Sequence, residues 1–240
     1  MQDWFQHWFD EDYAALYAHR DGAEAQEAVA TALRAAPELG AGPVLDLACG
    51  SGRHLEELRK TNPRAFGIDL SPALLRLAPE ALRPHLLRAD MRRLPLRAGS
   101  LSAATLWFTP FGYFSDEANA ALLHDLRDLL RPAGVLLVDY LNAAQLRASL
   151  VPEDVLERAG MRVRSRRRIE DHRVVKEMEL LRLDTGETRR VVESVRVYEP
   201  AELLALAAKA GLRLRTALGD YGGGAHTPES PRWIGIFERA

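Results

Sequence analysis

Asp46, Asp69 and Asp90 are the residues of this chain with most to offer a ligand. Asp46 lies inside a short apolar run, Val-Leu-Asp-Leu-Ala, that leads into glycines at 50 and 52. Asp69 stands 19 residues beyond Gly50 and closes a second apolar run; Asp90 follows a third. A carboxylate has several acceptor sites and no donor, so Asp69 is placed to receive the hydroxyls of a ribose diol. Asp90 is placed to accept from the amino group of an adenine, with Met91 packing on the ring. Asp46, beneath the turn, can hold the turn shut or meet an ammonium group. It would sit badly beside a pyrophosphate.

These acids need a scaffold that brings three strand ends together. Residues 44–48 read as a buried strand, 53–60 as a helix and 65–69 as a second strand, and Ser71-Pro72 opens the next helix. Residues 85–89, 101–108 and 135–140 read as three further strands, with a helix over 116–130 stopped by Pro132 and Gly134. Buried strands alternating with helices predict a parallel sheet covered on both faces, whose ligands bind outside the carboxyl ends of the strands. Residues 161–198 instead alternate polar and apolar around Asp184-Thr185-Gly186-Glu187, the pattern of antiparallel strands or a hairpin. A helix from Pro200, a strand over 212–218, a glycine loop at 222–224 and a strand over 232–238 complete the chain.

Four segments resemble the class I S-adenosylmethionine-dependent methyltransferases of small-molecule type. They are the loop Asp46-Leu-Ala-Cys-Gly-Ser-Gly52, Gly67-Ile-Asp-Leu-Ser71, Ala89-Asp-Met-Arg-Arg-Leu-Pro95 and Leu130-Arg-Pro-Ala-Gly-Val-Leu-Leu-Val138. They occur in the family's order over about residues 42–141. The resemblance implies an α/β, Rossmann-like, seven-stranded, mostly parallel sheet with an antiparallel final strand, joined here by an antiparallel β insertion. It implies S-adenosyl-L-methionine as cofactor, S-adenosyl-L-homocysteine as product, and cofactor contacts at Asp46, Ala48, Cys49, Gly50, Gly52, Asp69, Leu70, Asp90 and Met91. Phe108 and, from the N-terminal leader, Tyr17 and Arg20 join this set. The rival nicotinamide site lacks its third glycine, because Leu55 stands there. A dinucleotide loop also has no use for Asp46 or Asp90.

The expected organisation is one domain: a helical lid over 1–40, a cofactor-binding core over 41–150, the β insertion over 151–199, and a last helix and hairpin over 200–240. The leader carries Trp4, Phe5, Trp8, Phe9, Tyr13 and Tyr17 at roughly helical spacing. It reads either as a hydrophobic staple against the sheet or as a lid whose aromatic faces surround a sulfonium. After the fourth strand, Phe108-Thr-Pro-Phe-Gly-Tyr-Phe114 reads as a rigid apolar wall and departs from the Asn-Pro-Pro-Tyr signature of base and protein methylases. Tyr113, Tyr221 and His226 are general-base candidates by loop position. Cys49 reads as packing, and His54 as a helix-surface or loop contact.

Net charge is −2, which argues against bulk binding to nucleic acid or an anionic membrane. The basic run Arg162, Arg164, Arg166, Arg167 and Arg168 alternates with Val163, Ser165 and Ile169, as in a strand with one wet face, and acids nearby are expected to neutralise it. One cysteine forbids an intrachain disulfide and fits a cytoplasmic protein. No signal peptide or membrane span is expected. The expectation is a methyltransferase acting on a small molecule, needing no metal, as a monomer or homodimer. The alternatives are a non-catalytic S-adenosylmethionine-binding module, an RNA methyltransferase and an NAD-dependent oxidoreductase.

Overall fold

The computed structural model describes residues 4–18 and 22–240. Two short helices, α1 (Phe5–Trp8) and α2 (Glu11–Leu16), precede α3 (Gly22–Ala35). The alternating core follows as β1 (Val44–Leu47), α4 (Arg53–Thr61), β2 (Ala65–Asp69), α5 (Pro72–Leu77), β3 (Leu86–Arg88), β4 (Leu101–Leu106), α6 (Asp116–Leu129) and β5 (Leu130–Leu141). After α7 (Ala143–Ser149) come β6 (Glu153–Arg158), β7 (Met161–Glu170), β8 (Arg173–Arg182) and β9 (Thr188–Arg196). The chain closes with α8 (Pro200–Lys209), β10 (Leu212–Leu218) and β11 (Arg232–Arg239).

The main sheet has seven strands in the order β10-β11-β5-β4-β1-β2-β3. The pairings from β5 across to β3 are parallel, and β11 runs antiparallel to both β5 and β10. This is the expected fold class. Strand alternation sends Leu45, Leu47, Ala104 and Leu106 to the face covered by α6 and α8, and Val44 and Ala103 to the face covered by α3 and α4. Burying a leucine of this kind contributes about 1.5–3 kcal/mol. Asp46 and Thr105 are register partners in β1 and β4, so the sheet seats an acid in an otherwise apolar layer.

Several boundaries differ from the sequence reading. The fourth strand ends at Leu106, because Phe108 and Thr109 take left-handed backbone angles that no strand continues. The fifth strand begins at Leu130, immediately after α6, and runs through Pro132 and Gly134. The leader breaks at Asp10, whose side chain caps α2 by accepting from the N–H groups of Asp12 and Tyr13. The region after residue 150 is the expected antiparallel insertion, a four-stranded sheet in the order β6-β7-β8-β9.

One face of this second sheet receives the leader. Trp8 is 1% exposed and packs with Leu16 against Met161, Val163, Met178, Leu180 and Val191. Its indole N–H donates to Glu193, Arg189 pairs with Asp10, and Lys176 Nζ donates to Tyr17 Oη at 2.7 Å. On β7 the basic run is neutralised in part by the expected Glu170 and Glu177, which pair with Arg168, and in part by acids of β6, Glu157 with Arg162 and Glu153 with Arg166. Glu179 pairs instead with Arg190, and Glu193 accepts from Trp8. Among the described residues no helix is long and apolar enough to cross a membrane.

Candidate cofactor site

The turn after β1 is built from left-handed residues: Ala48 at φ 58°, Gly50 at φ 57° and Gly52 at φ 86°. Gly52 is the N-cap of α4. Glycine enters this region freely. The tight turn brings backbone N–H groups to the carboxyl edge of the sheet. Asp69, at the end of β2, locks the turn from the next strand. Its Oδ2 accepts from Gly50 N at 2.8 Å and its Oδ1 from Ser71 N at 2.7 Å. Asp69 thus joins two successive βα turns through one carboxylate, each oxygen keeping lone-pair capacity for a further donor. Burial raises its pKa, and the backbone N–H groups counter that rise.

Asp46 has a different environment. It is 1% exposed. Thr105 Oγ1 donates to its Oδ1 at 3.3 Å, and its Oδ2 has no partner among the described residues. Burial pushes its pKa up to about 7. A buried carboxylate oxygen without a donor is costly, so this oxygen is suited to meet a cationic or donor group of a ligand. The loop-holding role anticipated for Asp46 falls to Asp69.

Asp90 is engaged by Arg92, whose Nε and Nη2 contact the carboxylate at 3.1 and 2.6 Å and hold its pKa below the usual range. The same guanidinium lies over the rings of Phe5 and Phe114, at 5.3 and 5.1 Å from their centroids. The third acid therefore links the core to the aromatic leader.

All three acids border one cavity of about 350 Å³. Of the other anticipated contacts, Ala48, Cys49, Gly50, Leu70, Met91, Phe108 and Tyr17 line it, as does Tyr113 among the base candidates. Gly52 stands behind it as the helix cap. Arg20 lies outside the described residues. Tyr221 and His226 are not among its lining residues. Tyr221 instead donates to Asp139 Oδ2 at 2.6 Å, and burial, reinforced by that carboxylate, raises its pKa well above the ordinary phenol range. His226 follows the glycine loop, with its pKa lowered by burial.

Cys49 does pack. A Cβ placed on Gly67 would meet its Sγ at 2.6 Å, so the thiol occupies space that only glycine leaves. Burial raises its pKa well above the usual thiol value, which keeps it protonated.

Sequence reasoning missed several residues. His54 is 6% exposed rather than on the surface, and stacks on Trp107 at 4.8 Å with an interplanar angle of 9°. Both line the cavity. Burial lowers the His54 pKa well below the ordinary value, so the ring is neutral. The available signal was its position four residues before Leu58, which places both on the packed face of α4. Arg173 was also missed. From β8 it reaches the carbonyls of Gly112, Tyr113 and Phe114 at 3.0–3.1 Å and so fixes the wall after β4. No local pattern marks so distant a contact.

Comparison with known proteins agrees with this geometry. A methyltransferase domain model matches residues 44–134. A dTDP-3-amino-3,6-dideoxy-alpha-D-glucopyranose N,N-dimethyltransferase of Streptomyces fradiae is 32% identical over 121 residues, 48% of this chain. The matched segment spans less than half, 45%, of that relative's length. The sugar N-methyltransferase KedS8 of a Streptoalloteichus species superposes with a TM-score of 0.71 at 26% identity, over 95% of this chain and 93% of its own. A S-adenosylmethionine-dependent methyltransferase of Clostridium acetobutylicum shares the fold with a TM-score of 0.81 at 17% identity, over 95% and 96% of the two chains. With the glycine turn, the acids at the strand ends and the seven-stranded order already in place, these matches show a methyltransferase domain over residues 44–134 on the fold that S-adenosylmethionine-dependent methyltransferases share.

Proposed function

We propose that the protein transfers the methyl group of S-adenosylmethionine to a nucleophile on a small molecule. The observation that carries this reading is the buried Asp46 oxygen without a donor, beside a glycine turn already tied to Asp69. When bound, the cofactor supplies a methyl group activated by a sulfonium. Asp69 would receive the ribose hydroxyls, Asp46 the ammonium of the amino-acid end, and Met91 with Leu70 would pack on the adenine. For Asp90 to accept from the adenine amino group, it must share its carboxylate with Arg92.

The remaining task is alignment and exclusion of water, which can lower the barrier by several kcal/mol. The aromatic wall performs it. Phe9 and Tyr13 meet at 4.8 Å, Trp4 and Tyr113 at 4.9 Å, and Phe5 and Phe114 at 5.3 Å. Their faces favour a nearby cation. In this reading 1–40 acts as a lid, and it shares the acceptor pocket with the sheet of 151–199. The acceptor we propose is an amine on a polar ring, the chemistry named for the similar aminosugar methyltransferases. Of the base candidates only Tyr113 borders the cavity, and it is our candidate to take a proton where the acceptor must lose one.

Calorimetry with S-adenosylmethionine and S-adenosylhomocysteine tests the cofactor. Incubation with methyl-labelled donor and a panel of aminosugars and other small amines tests transfer. Binding with label on an amine is the expected result. Binding with no label transferred to any acceptor would mark a binding module, and saturable binding of a nicotinamide dinucleotide instead would overturn the reading.

A further inference from the structure

Phe108, in the cavity wall, and its neighbour Thr109 are consecutive non-glycine residues in the left-handed region, at φ 63° and 68°. Neither a bulky nor a β-branched side chain favours that region, so something must hold them. The holding group is Asp139, fully buried near the end of β5. Its Oδ2 accepts from Phe108 N at 2.7 Å, and its backbone carbonyl accepts from Thr109 N at 2.9 Å. Its Oδ1 accepts from Arg232 Nε at 2.8 Å, and Arg232 Nη2 reaches on to Thr109 Oγ1 at 2.7 Å. The Arg232 guanidinium also lies 5.0 Å from the centroid of the Phe108 ring, and Arg53 stands 5.3 Å from it. The loop that leads to Arg232 is secured in turn. Asn142 Nδ2 lies 2.8–3.1 Å from the carbonyls of Thr227, Pro228 and Ser230.

We propose that Asp139 and Arg232 are positioning residues for the donor: the ion pair of the buried Asp139 with the partly buried Arg232 holds the turn at Phe108 and Thr109 left-handed and so sets the Phe108 ring against the cofactor cavity. This rests on reading that cavity as the S-adenosylmethionine site. The guanidinium suits the task because its planar fork reaches two oxygens at fixed spacing while its face meets a ring. An ammonium is a compact point charge with no planar fork to fix that spacing and no face to stack. Tyr221, donating to the same carboxylate, belongs to this support and not to proton transfer.

The test uses the full chain, S-adenosylhomocysteine as the binding probe, and hydrogen exchange of the segment 107–112. Arg232→Lys keeps the charge opposite Asp139 and loses the bridge to Thr109. It is expected to weaken binding about tenfold and to speed exchange at 107–112 while the thermal midpoint stays close to that of the parent. Thr109→Gly added to this variant makes the left-handed turn easy again and is expected to restore most of the affinity. A purely structural or electrostatic role for Arg232 would not be rescued that way. Unchanged affinity in Arg232→Lys, or a loss that Thr109→Gly fails to recover, would overturn the inference. If the parent protein binds no S-adenosylhomocysteine, the cofactor reading falls, and exchange alone decides: unchanged protection at 107–112 in Arg232→Lys overturns the latch. Should Arg232→Lys fail to fold, Thr109→Val exchanges only the hydroxyl that Arg232 holds for a methyl and keeps the β-branch, with the same expectations at smaller size.

Discussion

The two walls of the cavity are built in opposite ways. On the core side, Asp46, the glycine turn, Asp69 and Asp90 arrive at one edge because parallel strands end there, and each is placed by its own βα unit. On the other side, Phe5, Phe9, Tyr13 and Tyr17 come from a leader that packs on a separate antiparallel sheet. Arg173 of that sheet reaches back to carbonyls of the loop after β4. The core wall is local and repeats a motif; the opposite wall is assembled over more than 150 residues of chain, as in Trp8 with Glu193 and Lys176 with Tyr17. The first can hold a common cofactor in many proteins, while the second can vary without disturbing it. This separation is how a shared fold serves different acceptors.

The sharpest way to break the comparison is to detach the second wall. Trp8→Ala removes a buried indole from the leader's docking surface. The expected cost is about 3–5 kcal/mol, felt as loss of leader docking rather than of the core. Limited proteolysis should cut near residues 4–18 while circular dichroism keeps the α/β signal. Loss of the whole fold would show that the two walls are energetically one.

Next is Asp69→Ala, which acts on the core wall. It removes the ribose acceptor we propose and leaves Gly50 N and Ser71 N without their partner. S-adenosylhomocysteine binding should weaken by about 1.5–3 kcal/mol, with a lowered thermal midpoint. Unchanged affinity by calorimetry would mean that the ribose lies elsewhere.

Asp46→Asn separates binding from stability. Burial raises the folded-state pKa of Asp46 from its ordinary value of 3.8 to about 7. The folded state therefore holds a proton that the unfolded state has lost between those values, so this group's contribution to stability falls as pH rises from about 4 to about 7 and is flat above. Above pH 7 the asparagine variant should melt higher than the parent, by an amount that vanishes near pH 4, and it should bind S-adenosylhomocysteine about 1–2 kcal/mol more weakly. In the parent, affinity should rise with pH through about 7 as Asp46 ionises to meet the ammonium. A melting difference independent of pH would refute the assignment.

The smallest effect is expected at Cys49. Cys49→Ala removes a sulfur packed over Gly67 and should cost about 1 kcal/mol of stability, with methyl transfer within a factor of about two. A large loss of transfer at constant binding would instead assign the thiol a chemical role.

The legible part of the molecule was the part whose chemistry is local. Buried runs between helices marked β1, β2, β4 and β5, and the acids on them marked the site. The turn at 184–187 marked the β8–β9 connection. Tyr221 was singled out for its loop position, yet its hydroxyl serves Asp139 from across the sheet. His54 looked like a surface residue because its neighbours Arg53, Glu56 and Glu57 are charged, although the helix turns its ring inward onto Trp107. The end of β4 was misplaced because the left-handed angles of Phe108 and Thr109 are imposed by Asp139 and Arg232, and neither residue type announces them.

Order along the chain was enough to establish the α/β alternation, the glycine turn and the three strand-end carboxylates, because hydrophobic periodicity and turn chemistry act between near neighbours. Which side chains are paired, which oxygen lacks a donor, and where the aromatic wall stands were decided only by the folded molecule. Those are properties of contacts between distant segments, and a buried charge or a strained turn takes its energy from whatever the fold has brought beside it.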